Sequence, residues 1–308
     1  MIKVTVTGAC GFIGSHLTRK LIEQGYLVVG LDCLDDNIYS RSVKETRLKA
    51  LKQLKNFDYL NLNIAKDELD SSFKDSKFVF NLAALPGQVL SWKLFDQYAE
   101  SNILGTKKVI DSCIRNNVTK IIHASTSSVY GKFAVGNELQ DTKPISPYGI
   151  TKLAAENLLF ALTNDNDLDF SILRYFSVYG PGQRPDMAIQ RFLSAIKVGQ
   201  EISITGDGTQ KRDITYVEDV VDATISAISI NEKKQIFNIS GGKQFTLNQI
   251  IDECFKVSGL KSKINYVERP IGDQEETFGD ISRAQDILGF NPTFDINKGL
   301  SNQFASID

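Results

Sequence analysis

The chain has 308 residues, of which 42% are hydrophobic and 23% charged, and a formal net charge of −2. That suits one large or two modest globular domains with a full core, and it excludes the basic surface of a nucleic-acid or membrane-surface binder, so the expected partner is small. Cys10, Cys33, Cys113 and Cys254 are scattered and His16 and His123 lie far apart, which points to reduced structural cysteines and no metal cluster.

The first fourteen residues organise the rest. Val4 and Val6 alternate with polar neighbours as in a short strand, Gly8, Gly11 and Gly14 follow three apart, and Ser15 to Ile22 has helical spacing. Glycines permit a tight turn and close approach to a pyrophosphate, and the helix start offers free N–H groups to the anion. A second strand, 27–31, ends at Asp32, whose carboxylate suits the adenosine ribose hydroxyls. No Arg or Lys occurs in 33–37, so NAD is expected rather than NADP. Because the chain begins in a core strand and has no run of about eighteen apolar residues, a cytoplasmic protein without a membrane segment is expected.

Strand-like runs at 58–62, 78–82, 120–124 and 170–173 alternate with helical stretches. This predicts an α/β fold, a doubly wound parallel Rossmann sheet with a smaller, discontinuous α/β substrate domain. The first domain is read as 1–175 plus about 213–232, because 217–230 looks helical and returns to it; the second is 176–212 plus about 233–308. Turn segments at 179–185 and 204–209 are expected to supply substrate loops.

Ser125-Thr126-Ser127-Ser128 follows the strand 120–124, and Tyr148-Gly149-Ile150-Thr151-Lys152 stands twenty-two residues beyond Thr126. Pro147 suits a helix start, on which Tyr148 and Lys152 share a face one turn apart. An unperturbed tyrosine titrates near ~10, and a neighbouring cation favours the phenolate, which makes Tyr148 a candidate general base.

The motifs TGACGFIGSHL, STSSVYG and YGITK, with LRYFSVYGPGQRPDM, GDGTQKRDITYVEDVVDA and GDISRAQDILGFNP, resemble the extended short-chain dehydrogenase/reductase family, specifically its nucleotide-sugar epimerases and dehydratases. The resemblance implies that Gly8, Gly11, Phe12, Ile13 and Gly14 form the pyrophosphate turn of a tightly bound NAD, that Asp32 accepts from ribose, and that Asn63 and Ile64 flank adenine, with Asn63 where the family usually has Asp. It further places Leu82, Ala83, Ala84, Asn102 and Ser125 along the cofactor, with Tyr148 as base, Lys152 on the nicotinamide ribose lowering the tyrosine pKa, and Thr126 on the reacting hydroxyl. Dehydratases place Asp and Glu after that Thr, and UDP-glucuronate decarboxylases a Glu at the second position; Ser127 and Ser128 stand there instead.

Residues 31–39 with Lys44, Arg47 and Leu48, and Ala83 to Gly87 with Ser91, are similar to UDP-glucuronate 4-epimerases. The implied reaction is inversion at C4 through a 4-keto sugar. Pro86, Gly87, Thr126, Ser127, Ser128 and Ser177 would meet the sugar, and Arg184, Arg212, Arg269 and Asp273 the UDP. Those epimerases usually carry an Arg soon after Gly87, whereas Gln88-Val89-Leu90 is neutral here, so UDP-glucose or UDP-N-acetylglucosamine stands as the alternative. The stretches 96–116 and 148–164 read as long helices, which in the family pair across a homodimer.

Overall fold

The computed structural model describes residues 1–307. Strand residues point alternately to opposite faces, and the apolar runs fill both. Val28, Phe80, Ile122 and Leu173 join Val4 and Val6 in one core cluster, whereas their chain neighbours Val29, Val79, Ile121 and Ile172 join the other. The first face is covered by the helices Phe12–Glu23 and Val217–Ser226, through Leu17, Leu21, Val217, Val220 and Val221. The second is covered by Gly105–Arg115 and Pro147–Leu162, through Val109, Ile110, Cys113 and Leu159. A sheet apolar on both faces has to be sandwiched this way.

Seven strands lie in the spatial order Gln235–Ile239, Asp169–Tyr175, Lys120–Thr126, Phe78–Asn81, Lys3–Thr7, Leu27–Leu31 and Phe57–Leu60, and every pairing is parallel. The chain leaves Lys3–Thr7 toward one edge and then crosses to its other side with Phe78–Asn81. Where the order reverses, the loops after the two strands diverge and open a crevice at their carboxyl ends.

The smaller unit is built around Lys211–Tyr216, which pairs with Ser177–Tyr179 and Glu276–Gly279 in parallel and with Gln244–Thr246 antiparallel. Ile189, Phe192, Ile204, Ile250 and Leu300 lie in its core. Its boundaries differ from the sequence reading in two places. Gln235–Ile239 belongs to the large sheet, although 233 onward was assigned to the smaller domain; its buried core, Phe237 to Ile239, is short and follows the charged stretch Glu232-Lys233-Lys234, which masks it. Conversely, Phe133–Gly136 leaves the first domain to pair with Glu276–Gly279. Ile281, Ala284, Leu288 and Phe290 also pack into the first core, so the two units interleave.

The long helix expected over 96–116 is Phe95–Tyr98, a π-helical segment Ala99–Leu104 and Gly105–Arg115 in succession. Its Asn102 is buried, accepting from Leu85 N–H (2.8 Å) and donating to Leu85 C=O (3.1 Å) and Thr151 Oγ1 (3.0 Å). The second long helix starts at Pro147, with the Ser146 side chain accepting from Gly149 N–H, and ends at Leu162.

This second helix is pinned to the sheet by charge. Glu156 accepts from Arg174 Nη2 (2.7 Å) and Nε (3.1 Å) and from the Ser125 hydroxyl, and Arg174 Nη1 donates to Tyr130 Oη (2.9 Å). Both charged side chains are almost fully buried. Removing one partner leaves the other charged and desolvated, so Glu156→Ala is expected to destabilise the fold by about 3–5 kcal/mol. Urea unfolding checks this, and Glu156→Ala combined with Arg174→Met should recover most of the loss.

Candidate functional site

A cavity of about 960 Å³ opens at the carboxyl ends of the strands, between the large sheet and the smaller unit. One end is lined by Gly8, Gly11, Phe12, Ile13, Gly14, Asp32, Asn63, Ile64, Leu82, Ala83 and Ala84. Gly8 has φ +73, and a Cβ there would lie 2.9 Å from Ala83 N; a Cβ on Gly14 would lie 2.0 Å from Gly8 O. The turn is therefore closed against its own helix and against the next strand end. The helix Phe12–Glu23 starts with no side-chain cap and no acid in its first turn, leaving its N–H groups to an anion. Asp32 stands behind the turn, accepting from Cys10 N–H (3.0 Å) and Leu34 N–H (2.9 Å). Asn63 Oδ1 accepts from Ala65 N–H (2.9 Å), so its side chain shapes the loop as well as lining the cavity. These residues fit a dinucleotide.

Strand Lys120–Thr126 and helix Pro147–Leu162 bring Ser125, Thr126, Ser127, Ser128, Tyr148 and Lys152 to the middle of the cavity. Burial raises the Tyr148 phenol, while the Arg184 charge and the Thr126 hydroxyl draw it down. The sequence reading gave that second role to Lys152. Instead Lys152 Nζ, while lining the cavity, stands 3.5 Å from His123 Nε2 and is pushed down to about 8 by burial, with Glu156 one turn further along opposing that. His123 Nδ1 meets Asn81 Nδ2 at 3.1 Å, and Asn81 Oδ1 accepts from the Thr7 hydroxyl (2.8 Å). Burial and the Lys152 charge hold His123 well below the ordinary imidazole range, so it stays neutral.

The other end is lined by Pro86, Gly87, Gln88, Ser177, Arg184, Arg212, Asp273 and Gln274. Arg184 is braced by Asp186 (3.0 and 2.8 Å) and Arg212 by Asp273 (2.8 Å), which orients both guanidinium forks. Two expected residues do not line the cavity: Asn102 is spent on Leu85 and Thr151 behind the wall, and Arg269 is held on Asp273 and Glu275. Ser125 lines the cavity, but its hydroxyl donates to Glu156. Sequence reasoning missed Glu156, His123, Asn81 and the lining residue Arg191. Only Glu156 carried a signal, its position four residues after Lys152 on one helix face.

The family model described as the NAD dependent epimerase/dehydratase family matches residues 4–240. The UDP-glucuronate 4-epimerase of Thermodesulfobacterium geofontis is 37% identical over 301 residues, 96% of this chain and 93% of that protein. Among solved structures, the UDP-glucuronic acid 4-epimerase of Bacillus cereus in complex with UDP-glucuronic acid and NAD superposes with a TM-score of 0.95 at 35% identity, covering 99% of this chain and 98% of that one. MoeE5, solved with NAD and either UDP-glucose or UDP-glucuronic acid, gives 0.89 at 37% identity with the same coverage. With its glycine turn, its Thr126–Tyr148–Lys152 centre and this match over most of its length, the chain belongs to the NAD dependent epimerase/dehydratase family.

Proposed function

We propose that the protein is a UDP-sugar 4-epimerase that converts UDP-glucuronate to UDP-galacturonate through a 4-keto intermediate. The observation that carries this is the set of groups around Tyr148: a phenol with a threonine hydroxyl and a lysine beside a dinucleotide turn, and Ser127 and Ser128 where an acid and base for dehydration would stand. The cofactor supplies a reversible hydride store at C4. Tyr148 Oη takes the C4 hydroxyl proton in one direction and returns it to the carbonyl oxygen in the other, with Thr126 orienting that oxygen. Lys152, charged below about pH 8, lines the cavity one helical turn from Tyr148, where it can hold ribose hydroxyls. Arg184 and Arg212 suit the diphosphate by their braced forks, and Thr126, Ser127, Ser128 and Ser177 offer hydroxyls to a carboxylate. A neutral UDP-hexose is the second reading, favoured by the uncharged Gln88 on the same wall.

A cytoplasmic homodimer belongs to this reading. Four unpaired cysteines support the reducing compartment, and Leu104, Ile150 and Phe160 leave apolar surface exposed on the two long helices. Among the described residues no helix is long and apolar enough to cross a membrane. Sedimentation should give about twice the chain mass of 34.2 kDa; a monomer at micromolar concentration would refute the dimer.

Tyr148→Phe is expected to retain NAD while epimerisation falls by about 10²–10⁴-fold; unchanged turnover, measured by separating the two uronate nucleotides, would sink the mechanism. The pH profile tests Lys152. Its ammonium is lost as pH rises through about 8, so kcat/KM should fall on the alkaline side of that value. Glu156 raises the Lys152 pKa, so Glu156→Gln should move that limb toward acid by about 1 pH unit.

A further inference from the structure

Arg184 enters the cavity from the end of the turn segment 180–184, and two side chains of the dinucleotide-binding unit hold that segment by its carbonyls. His16 Nε2, on the helix Phe12–Glu23, donates to Pro181 O at 2.9 Å. Arg47 Nη2, on the helix Arg41–Leu51, donates to Gly182 O at 2.7 Å, and its Nη1 donates to Cys10 O and Tyr39 Oη, both at 3.1 Å. One half-buried guanidinium thus spans the glycine turn of the dinucleotide end and the turn that carries Arg184. Its planar fork holds two acceptors in fixed directions, a geometry that the single ammonium of a lysine lacks. Neither Arg47 nor His16 lines the cavity.

The contacts of Arg184 itself do not settle where it stands. Asp186, which braces its fork, lies two residues along the same segment and moves with it. Gln183 fastens the turn to the smaller unit, its Nε2 donating to Val178 O (2.8 Å) and its Oε1 accepting from Gln190 N–H (3.0 Å). At Gly182, whose φ is +74, a Cβ would meet nothing within 4 Å, so no packing seats that stretch against the other unit. The hydrogen bonds of Arg47 and His16 supply that seat. Held there, the Arg184 Nη2 lies 3.6 Å from where a Cβ on Gly87 would stand, between the diphosphate end and the sugar loop, and its charge acts on the Tyr148 phenol.

We propose that Arg47 is a positioning residue: bonded at once to Cys10 O and Gly182 O, it seats the 180–184 turn against the dinucleotide turn so that Arg184 meets the diphosphate of the nucleotide sugar. The inference rests on the reading of Arg184 as a diphosphate contact and adds to it a residue outside the cavity. Calorimetric titration of the NAD-loaded protein with UDP tests it without turnover. Arg184→Met should weaken UDP by about tenfold or more, and Arg47→Met by about three- to tenfold. Because Arg47 acts through Arg184, the double variant should bind UDP within about twofold of Arg184→Met alone. The NAD retained through purification should equal that of the wild type in Arg47→Met, which a general loosening of the glycine turn would not allow. Arg47→Lys keeps the charge and most of the stem without the fork, and it should still weaken UDP at least about threefold. Wild-type UDP affinity in either Arg47 variant, a further loss when Arg47→Met is added to Arg184→Met, or depleted NAD in Arg47→Met would each overturn the role. Unchanged UDP affinity in Arg184→Met would refute the diphosphate contact and the positioning role together. The expected binding pattern in a protein that epimerises no UDP-sugar would refute the reaction and keep the role of Arg47.

Discussion

The cavity depends on how closely the backbone of Gly8 lies to Gly14 on one side and to the Leu82–Ala83 strand end on the other. A single methyl at any of these contacts would wedge apart the turn, the helix Phe12–Glu23 or the strand Phe78–Asn81. Held together, they set the uncapped helix start and the floor of the crevice against each other at the point where the strand order reverses. This is a steric constraint rather than an attraction, and it gives an anion site whose donors are fixed before any ligand arrives.

The chemistry at the centre depends on a second, electrostatic device. Burial lowers the Lys152 pKa, and Glu156, fixed by Arg174 and Ser125, opposes that from one turn away. The same ion pair ties the helix carrying Tyr148 to the strand Asp169–Tyr175. Position and protonation at the site thus rest on one buried pair, which is costly to desolvate and serves here to hold the helix carrying Tyr148 in register with the strand carrying Thr126. On the phenol itself, burial acts upward and Arg184 with Thr126 acts downward, so the tyrosine is tuned by the groups expected to touch substrate.

The two units share strands and core residues in both directions, with Phe133–Gly136 crossing one way and Ile281 to Phe290 the other. Gln274 of the smaller unit donates to Ser127 C=O (3.2 Å) and Gly131 C=O (2.9 Å) directly behind the hydroxyl cluster. The wall of the smaller unit and the Thr126–Ser128 wall are therefore one hydrogen-bonded surface.

Local pattern marked the glycine turn, the doubly wound sheet and the strand end at Asp32, because each is written in spacing along one strand, turn or helix, whereas the roles of Thr126, Tyr148 and Lys152 were implied by resemblance and the structure brings the three to one cavity. Asn102 and Arg269 are placed along the ligands by resemblance, but their side chains bond Leu85 and Thr151, and Asp273 and Glu275, outside the cavity lining, since whether a side chain faces a cavity or its own wall depends on partners that only folding brings to it. For the same reason the assignment of Gln235–Ile239 to the large sheet and the meeting of Lys152 with His123 appear only in three dimensions. What the sequence marked as a missing cation after Gly87, the tertiary structure turned into an amide bonded to Ser128 with an unpaired carbonyl, because only folding brings residues 88 and 128 within hydrogen-bonding distance.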